Sequence, residues 1–365
     1  MHNMQNQKSG YFPEINYLRG FAILAVISIH VSTYNNKMTC INSLTFFYII
    51  VDVFSHFAVP AFIFISGFVL YNKYYTNIEI KKFYINRLNS IIPQYLTIST
   101  FYMIALFYGA KIIGRSIDWS FSSILYRYVT GGAFYHLWFF VLLIQIYILY
   151  PYILKIYDYF QSKHEIQLLL TITFILGIVY NSFIDMTLPI GKITLFSGYI
   201  FYFVFGMFTR NNYDMIKSIP FRRGFAFFSS IILFLGTFLL TINYFNTHFS
   251  DGSFSSSSIV KLSLNSISIL YYTVIIIIGL YLSTSLSNLS QFKIIDKIGS
   301  YSFSIYLVHA IILYTLVLLL TKVSIDWNDL LFYPLTFFLT LILSILVVKI
   351  IRLFPNSEYL IGKKK

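Results

Sequence analysis

Runs of about 20 predominantly apolar residues recur along the whole of this chain, and they leave few choices of fold. Lipid offers no partner to an unpaired backbone amide or carbonyl, so a spanning segment is either a helix or a strand of a closed barrel. Barrel strands run near ten residues and alternate apolar with polar, which these runs do not. Only 11% of the residues are charged, whereas a soluble domain carries about a quarter. The sequence therefore predicts an all-α, polytopic transmembrane bundle. About ten spans are expected, near 15–34, 54–72, 88–108, 134–153, 166–183, 192–209, 224–244, 264–284, 300–321 and 330–353. Residues 46–53 either extend the second span or lie at the interface.

Loop charge predicts the orientation. With the N-terminus inside, most of the 26 Lys and Arg fall on the cytoplasmic side. These include Lys73, Lys81, Lys82, Arg87, Arg210, Lys217, Arg222, Arg223 and the Lys363–Lys365 tail. That excess predicts both termini inside. It also accounts for the net charge of +13 without nucleic acid as a partner. The first span carries no Ala-x-Ala cleavage site and reads as a signal anchor. The expected organisation is a single domain over 1–365, with a short cytosolic start at 1–14 and a basic tail at 354–365. No internal repeat is evident. The single cysteine, Cys40, excludes an internal disulfide and any Cys-based zinc site.

Ionisable side chains are costly in hydrocarbon and persist mainly where they line a polar path or do chemistry. Arg19 and His30 in INYLRGFAILAVISIHV are the clearest pair. Their spacing is almost three helical turns, so both project from one face, roughly 16 Å apart along the axis. Asn16 lies near the same stripe. In the predicted topology His30 sits at the outer end of the first span. Asp52 and His56 sit at or before the outer start of the second, and His136, followed by Trp138, at the outer entrance of the fourth. Together they could line one outward-facing vestibule. An imidazole takes a proton near neutral pH, and Asp52 could orient one of these rings. Taken singly, each residue also suits a helix-end anchor. Arg87, after a basic stretch, could grip an anionic cytosolic ligand through its guanidinium fork, or simply supply positive-inside charge. Ser302, Tyr306 and His309 share a side of the ninth span. Ser66-Gly67 lacks a nucleophile elbow and reads as close helix packing. No paired His spacing suggests zinc, and no metal is expected.

In this order, INYLRGFAILAVISIHV, FAVPAFIFISGFVLY, FYHLWFFVLLIQIYILYP and GSYSFSIYLVHA resemble the acyltransferase-3 family of integral membrane acyltransferases. The YHLWF stretch is similar to a branch that modifies or exports poly-N-acetylglucosamine. The resemblance implies a ten-span core in the bacterial cell membrane. It implies acyl transfer from cytosolic acyl-CoA to an extracytoplasmic acceptor, a cell-surface glycan or lipid-linked sugar. It places the family's basic residue on Arg19 and its catalytic histidine on His30. Two positions depart from the pattern: Asn16 stands where many members carry Asp, and Asn86 and Ser90 stand where many carry an arginine pair, leaving Arg87 basic.

The expected mechanism has Arg87 and Arg19 hold the donor, His30 act as base with Asp52 orienting it, and His136 or Tyr306 stabilise the oxyanion. Trp138, Tyr306 and His309 support the acceptor side. An acyl-histidine intermediate is the alternative route. Two competing function classes are a polysaccharide exporter or flippase without chemistry, and a sensory membrane module.

Overall fold

The computed structural model describes residues 12–38, 41–76, 78–112, 117–183, 195–219, 223–250, 254 and 257–362. Cys40, Arg222, the Lys363–Lys365 tail, most of 1–14 and much of the Ser-rich stretch after 250 lie outside these residues. No strand occurs among the described residues. Nine helical segments among them are long and apolar enough to cross a membrane: Pro13–Lys37, Ser43–Tyr74, Ile80–Lys111, Trp138–Ser162, Ile166–Phe183, Arg223–Phe249, Ser258–Ser287, Ser290–Lys322 and Phe332–Ile351. The chain is a multi-pass membrane protein. The expected span 192–209 is described only from residue 195. Its helix, Ile200–Asn211, has 12 residues, about 18 Å of rise against a hydrocarbon core of about 30 Å.

The helices are α1 (Pro13–Ser32), α2 (Ser43–Ser55), α3 (Ala58–Tyr74), α4 (Ile80–Leu88), α5 (Ile92–Ile112), α6 (Phe121–Thr130), α7 (Trp138–Ser162), α8 (Ile166–Phe183), α9 (Ile200–Asn211), α10 (Tyr213–Ser218), α11 (Arg223–Phe249), α12 (Ser258–Ser287), α13 (Lys293–Lys322), α14 (Phe332–Ile351) and α15 (Glu358–Ile361). Residues 46–53 are thus helical and lie within α2.

Local chemistry explains where α2 starts and stops. The Asn42 side chain accepts from the Leu44 and Thr45 amides, and the Thr45 hydroxyl accepts from the Asn42 amide, closing a capping box. Three residues into α3, Pro60 has no amide proton for the His56 carbonyl, and its ring crowds that carbonyl. The helix therefore breaks at His56–Phe57. Pro93 acts similarly near the start of α5. There the turn after α4 closes on the Arg87 carbonyl, which accepts from the Ser90 amide and hydroxyl.

The chain forms two compact units, interleaved in sequence. The first comprises Met1–Ile78, Leu154–Ser182 and Tyr199–Ser302. Its tightest contact is α3 on α9. A Cβ on Gly67 would collide with the Phe203 carbonyl, and one on Gly206 with the Phe64 carbonyl, so the two backbones touch where FISGF meets FVFGM. Small residues at such crossings replace the hydrophobic driving force that helices lack in lipid. The packing reading of Ser66-Gly67 follows from this geometry. A second close approach joins α1 to the start of α13, where a Cβ on Gly20 would lie 2.6 Å from the Ile295 carbonyl oxygen.

The second unit comprises Glu79–Ile153, Phe183–Gly198 and Phe303–Lys365. Here Tyr102, fully buried on α5, inserts its hydroxyl into the hydrogen-bond ladder of α13. It donates to the Leu307 carbonyl at 3.0 Å and accepts from the Ile311 amide at 3.3 Å. The expected tail from 354 is partly built in. Gln94 donates to the Glu358 carbonyl at 2.8 Å, Ser304 donates to the Ile361 carbonyl at 2.7 Å, and Ile361 is buried.

Candidate functional site

In the first unit α1 carries the expected polar stripe. The Arg19 guanidinium donates to the Asn16 side-chain carbonyl at 2.9 Å, as their three-residue spacing on one helical face requires. His30 is half-buried in the last turn of the same helix. Arg19 thus stands near one end of α1 and His30 near the other.

Asp52 is buried on α2, beside the end of α1. Ser32 donates to one carboxylate oxygen at 2.8 Å. The other oxygen lies 3.3 Å from Nδ1 of His56. That nitrogen also donates to the Asp52 backbone carbonyl at 2.7 Å. Two partners therefore hold the carboxylate, which has only acceptors to offer when ionised. Ser32 lies two residues beyond His30, about 200° around the helix. The imidazole within ion-pair distance of the carboxylate is that of His56.

The second unit gathers four more of the expected residues. Helix α6 ends at Gly131, whose φ of 76° is a left-handed conformation suited to glycine. A non-helical turn then runs to α7, which opens at the half-buried Trp138. This turn seats the His136 ring, 2% exposed, among aromatic edges. Ring centroids of Tyr102 and Tyr306 lie 5.2 Å away, and that of His309 lies 5.1 Å away. The Tyr306 hydroxyl donates to the His136 backbone carbonyl. Nδ1 of the fully buried His309 lies 2.8 Å from the Tyr306 carbonyl. A carbonyl can only accept, so this bond makes Nδ1 the protonated nitrogen and Nε2 the acceptor of a neutral ring. Sequence reasoning set His136 in one vestibule with His30 and Asp52. Within the second unit the structure places it against Tyr306 and His309.

Arg87 is half-buried in the last turn of α4. One residue was missed. Arg210, expected to be ordinary loop charge, is only 7% exposed on α9. Its Nε donates to Asn72 at 2.6 Å, and its guanidinium lies 4.9 Å from the centre of the Phe12 ring. His56 is one of the vestibule residues expected from the sequence, and its pairing with Asp52 was legible there too, since an Asp and a His four apart on a helix share a face. Among the described residues no group of three or more His, Cys, Asp or Glu converges to hold a metal ion.

Comparison with known proteins adds to this geometry. A family model described as "Acyltransferase domain" matches residues 12–349. The chain is also similar to proteins named "Probable poly-beta-1,6-N-acetyl-D-glucosamine export protein". That of Staphylococcus aureus (strain N315) is 28% identical over 319 residues, covering 84% of this chain and 83% of the relative. That of Staphylococcus epidermidis is 27% identical over 361 residues, covering 96% and 94%. No solved structure matches the chain.

Proposed function

The chain belongs to the acyltransferase-3 family of integral membrane acyltransferases, and on that premise we propose that it moves an acyl group from cytosolic acyl-CoA to a hydroxyl of a cell-surface glycan or lipid-linked sugar. The protein is a multi-pass acyltransferase of a bacterial cell membrane. The observation that carries the finer reading is α1 itself, with a cation paired to an amide near one end and an imidazole near the other. Such a helix suits a reaction whose donor and acceptor approach from opposite sides of a membrane. The excess of basic loop residues supports placing the Arg19 end on the cytosolic side.

In this reading the guanidinium groups of Arg19 and Arg87 bind the donor's phosphate oxygens, to which a planar fork is suited. His30 takes the proton of the acceptor hydroxyl as that oxygen attacks the thioester carbonyl. The carbon–oxygen bond forms, the carbon–sulfur bond breaks, and the thiolate leaves towards the cytosol and is protonated. General-base help is worth roughly 10²–10⁴-fold. Asp52 sets the local charge at the His30 end of α1. His136 provides a hydrogen bond to the developing oxyanion, Tyr306 holds the His136 backbone through its hydroxyl, and Trp138 and His309 shape the acceptor side.

The test is mass spectrometry of surface glycans from cells with and without the protein. An acyl mass present only with the protein supports acyl transfer. The names of the relatives favour a second reading, export of the glycan without acyl transfer. Loss of surface glycan with no acyl mass in either strain would make export the better account.

The donor site has its own expected result. Arg87→Ala should raise the apparent KM for acyl-CoA and leave that for the glycan unchanged. A charge-assisted hydrogen bond is worth about 1.5–3 kcal/mol, or roughly tenfold to a hundredfold in affinity. Arg19→Ala should act in the same direction. Unchanged donor dependence in both variants would remove these residues from the donor site.

A further inference from the structure

Two histidines in the first unit share an arrangement that the acyl-transfer reading does not use. His56 ends α2, and Nδ1 of its ring donates to the backbone carbonyl four residues earlier, that of Asp52, at 2.7 Å. His248 lies in the last turn of α11, and Nδ1 of its ring donates to the carbonyl of Tyr244, also four residues earlier, at 2.9 Å. Both rings are exposed. Each Nδ1 is held as a donor, so each neutral ring presents Nε2 as a fixed acceptor. Nε2 of either ring makes no hydrogen bond among the described residues. The two imidazoles reach the same stretch of chain at the end of α1: His56 through Asp52, which Ser32 bonds at 2.8 Å, and His248 through Tyr244, which bonds Asn35 three residues further on.

The wall behind them is aromatic and amide-rich. The His248 ring stacks on Tyr244 with centroids 4.1 Å apart and planes 17° apart. The Tyr244 hydroxyl donates to the Asn35 side-chain oxygen at 2.9 Å. That bond ties α11 to the turn following His30's helix. Asn35 is fully buried, and its side-chain nitrogen is a donor with no hydrogen-bond partner among the described residues. The neighbourhood thus offers two outward acceptors and a stacked ring pair, with a buried amide behind them. Ligands rich in hydroxyls use this combination, giving O–H groups to acceptors and laying C–H faces on rings.

We propose that the rim formed by His56, His248 and Tyr244, backed by the buried Asn35, is a carbohydrate-binding subsite, which takes the acceptor glycan at the His30 end of α1. Hydroxyl groups of the glycan donate to Nε2 of both histidines, and one sugar face lies along the Tyr244–His248 stack. Asp52 and Ser32 are positioning residues, holding the ring of His56 through the carboxylate. The subsite rests on the acyl-transfer reading for its role, but binding can be measured without any transfer.

The experiment uses the full chain in detergent micelles and a β-1,6-linked N-acetylglucosamine oligosaccharide as probe. Binding is read by saturation-transfer NMR and by calorimetry. Wild-type protein should bind. His56→Ala and His248→Ala should each weaken binding about threefold to tenfold, as expected for one neutral hydrogen bond. The double variant should weaken it by more than either alone. His248→Phe keeps the ring stack and loses the nitrogen, so it should lie between wild type and His248→Ala. In transfer assays the same variants should raise the acceptor KM and leave the donor KM unchanged. Wild-type affinity in the double variant, at matched thermal stability, overturns the subsite whether or not acyl transfer is observed. So does failure of the wild-type protein to bind the oligosaccharide. Intact oligosaccharide binding that depends on both histidines, with no acyl mass in cells, retains the subsite and removes the acyl-transfer reading.

Discussion

Replacing His30 by glutamine is expected to stop acyl transfer and to leave the protein in the membrane at its usual level. Glutamine keeps some hydrogen bonding but takes no proton near neutral pH, so a ring acting as base cannot be replaced by it. Removing general-base help costs roughly 10²–10⁴-fold, which is a total loss in most assays of surface glycan. His30 is half-buried and near a helix end, so neither Gln nor Ala should disturb packing much. The measurement is acylated against total surface glycan, at matched protein level. If His30→Gln acylates normally, the ring is not the base. If total glycan disappears in every His30 variant while wild type carries no acyl mass, export is the better reading.

The second large effect belongs to the fold. Gly67→Ala or Gly206→Ala should prevent most of the protein from reaching a stable folded state. Each added methyl would meet a backbone carbonyl of the facing helix, which cannot move aside as a flexible side chain can. Overpacking of a core ordinarily costs about 1–3 kcal/mol, and a backbone-to-backbone contact lies at or above the top of that range. Gly109→Ala and Gly224→Ala are the comparison, since a Cβ at either meets nothing within 4 Å. They should be neutral, or slightly stabilising through helix propensity. The readout is the yield of monodisperse protein and its melting temperature in detergent. Wild-type behaviour of Gly67→Ala would mean that α3 and α9 can separate without loss of fold.

Most of the architecture was legible because its signal is local. A run of some 20 apolar residues identifies a span by itself. The stripe of Asn16, Arg19 and His30 needed only helical spacing. The break between α2 and α3 was within reach, since Pro60 marks it. The α9 segment was harder to judge, because apolar residues such as Leu195 and Phe196 precede its 12-residue helix. What the sequence hid depends on contacts between distant residues. Ser32 and Asp52 are 20 residues apart, and Tyr306 reaches a carbonyl 170 residues away. Arg210 looked like surface charge because nothing near it in sequence announces that α3 supplies Asn72 and that Phe12 covers its guanidinium. The roles of His30, Asp52, His136, Arg19 and Arg87 rest on residue chemistry and on family membership, and the variants above test them.

The contact between Gln94 and the Glu358 carbonyl spans 264 residues of chain. At synthesis rates of about 5–20 residues per second, on the order of 10–50 s separate the emergence of the two partners from the ribosome. For that interval α5 sits in the bilayer with a polar side chain whose native acceptor does not yet exist. The second unit therefore cannot close this contact until residue 358 has been made. Until then α5 is exposed to membrane quality control.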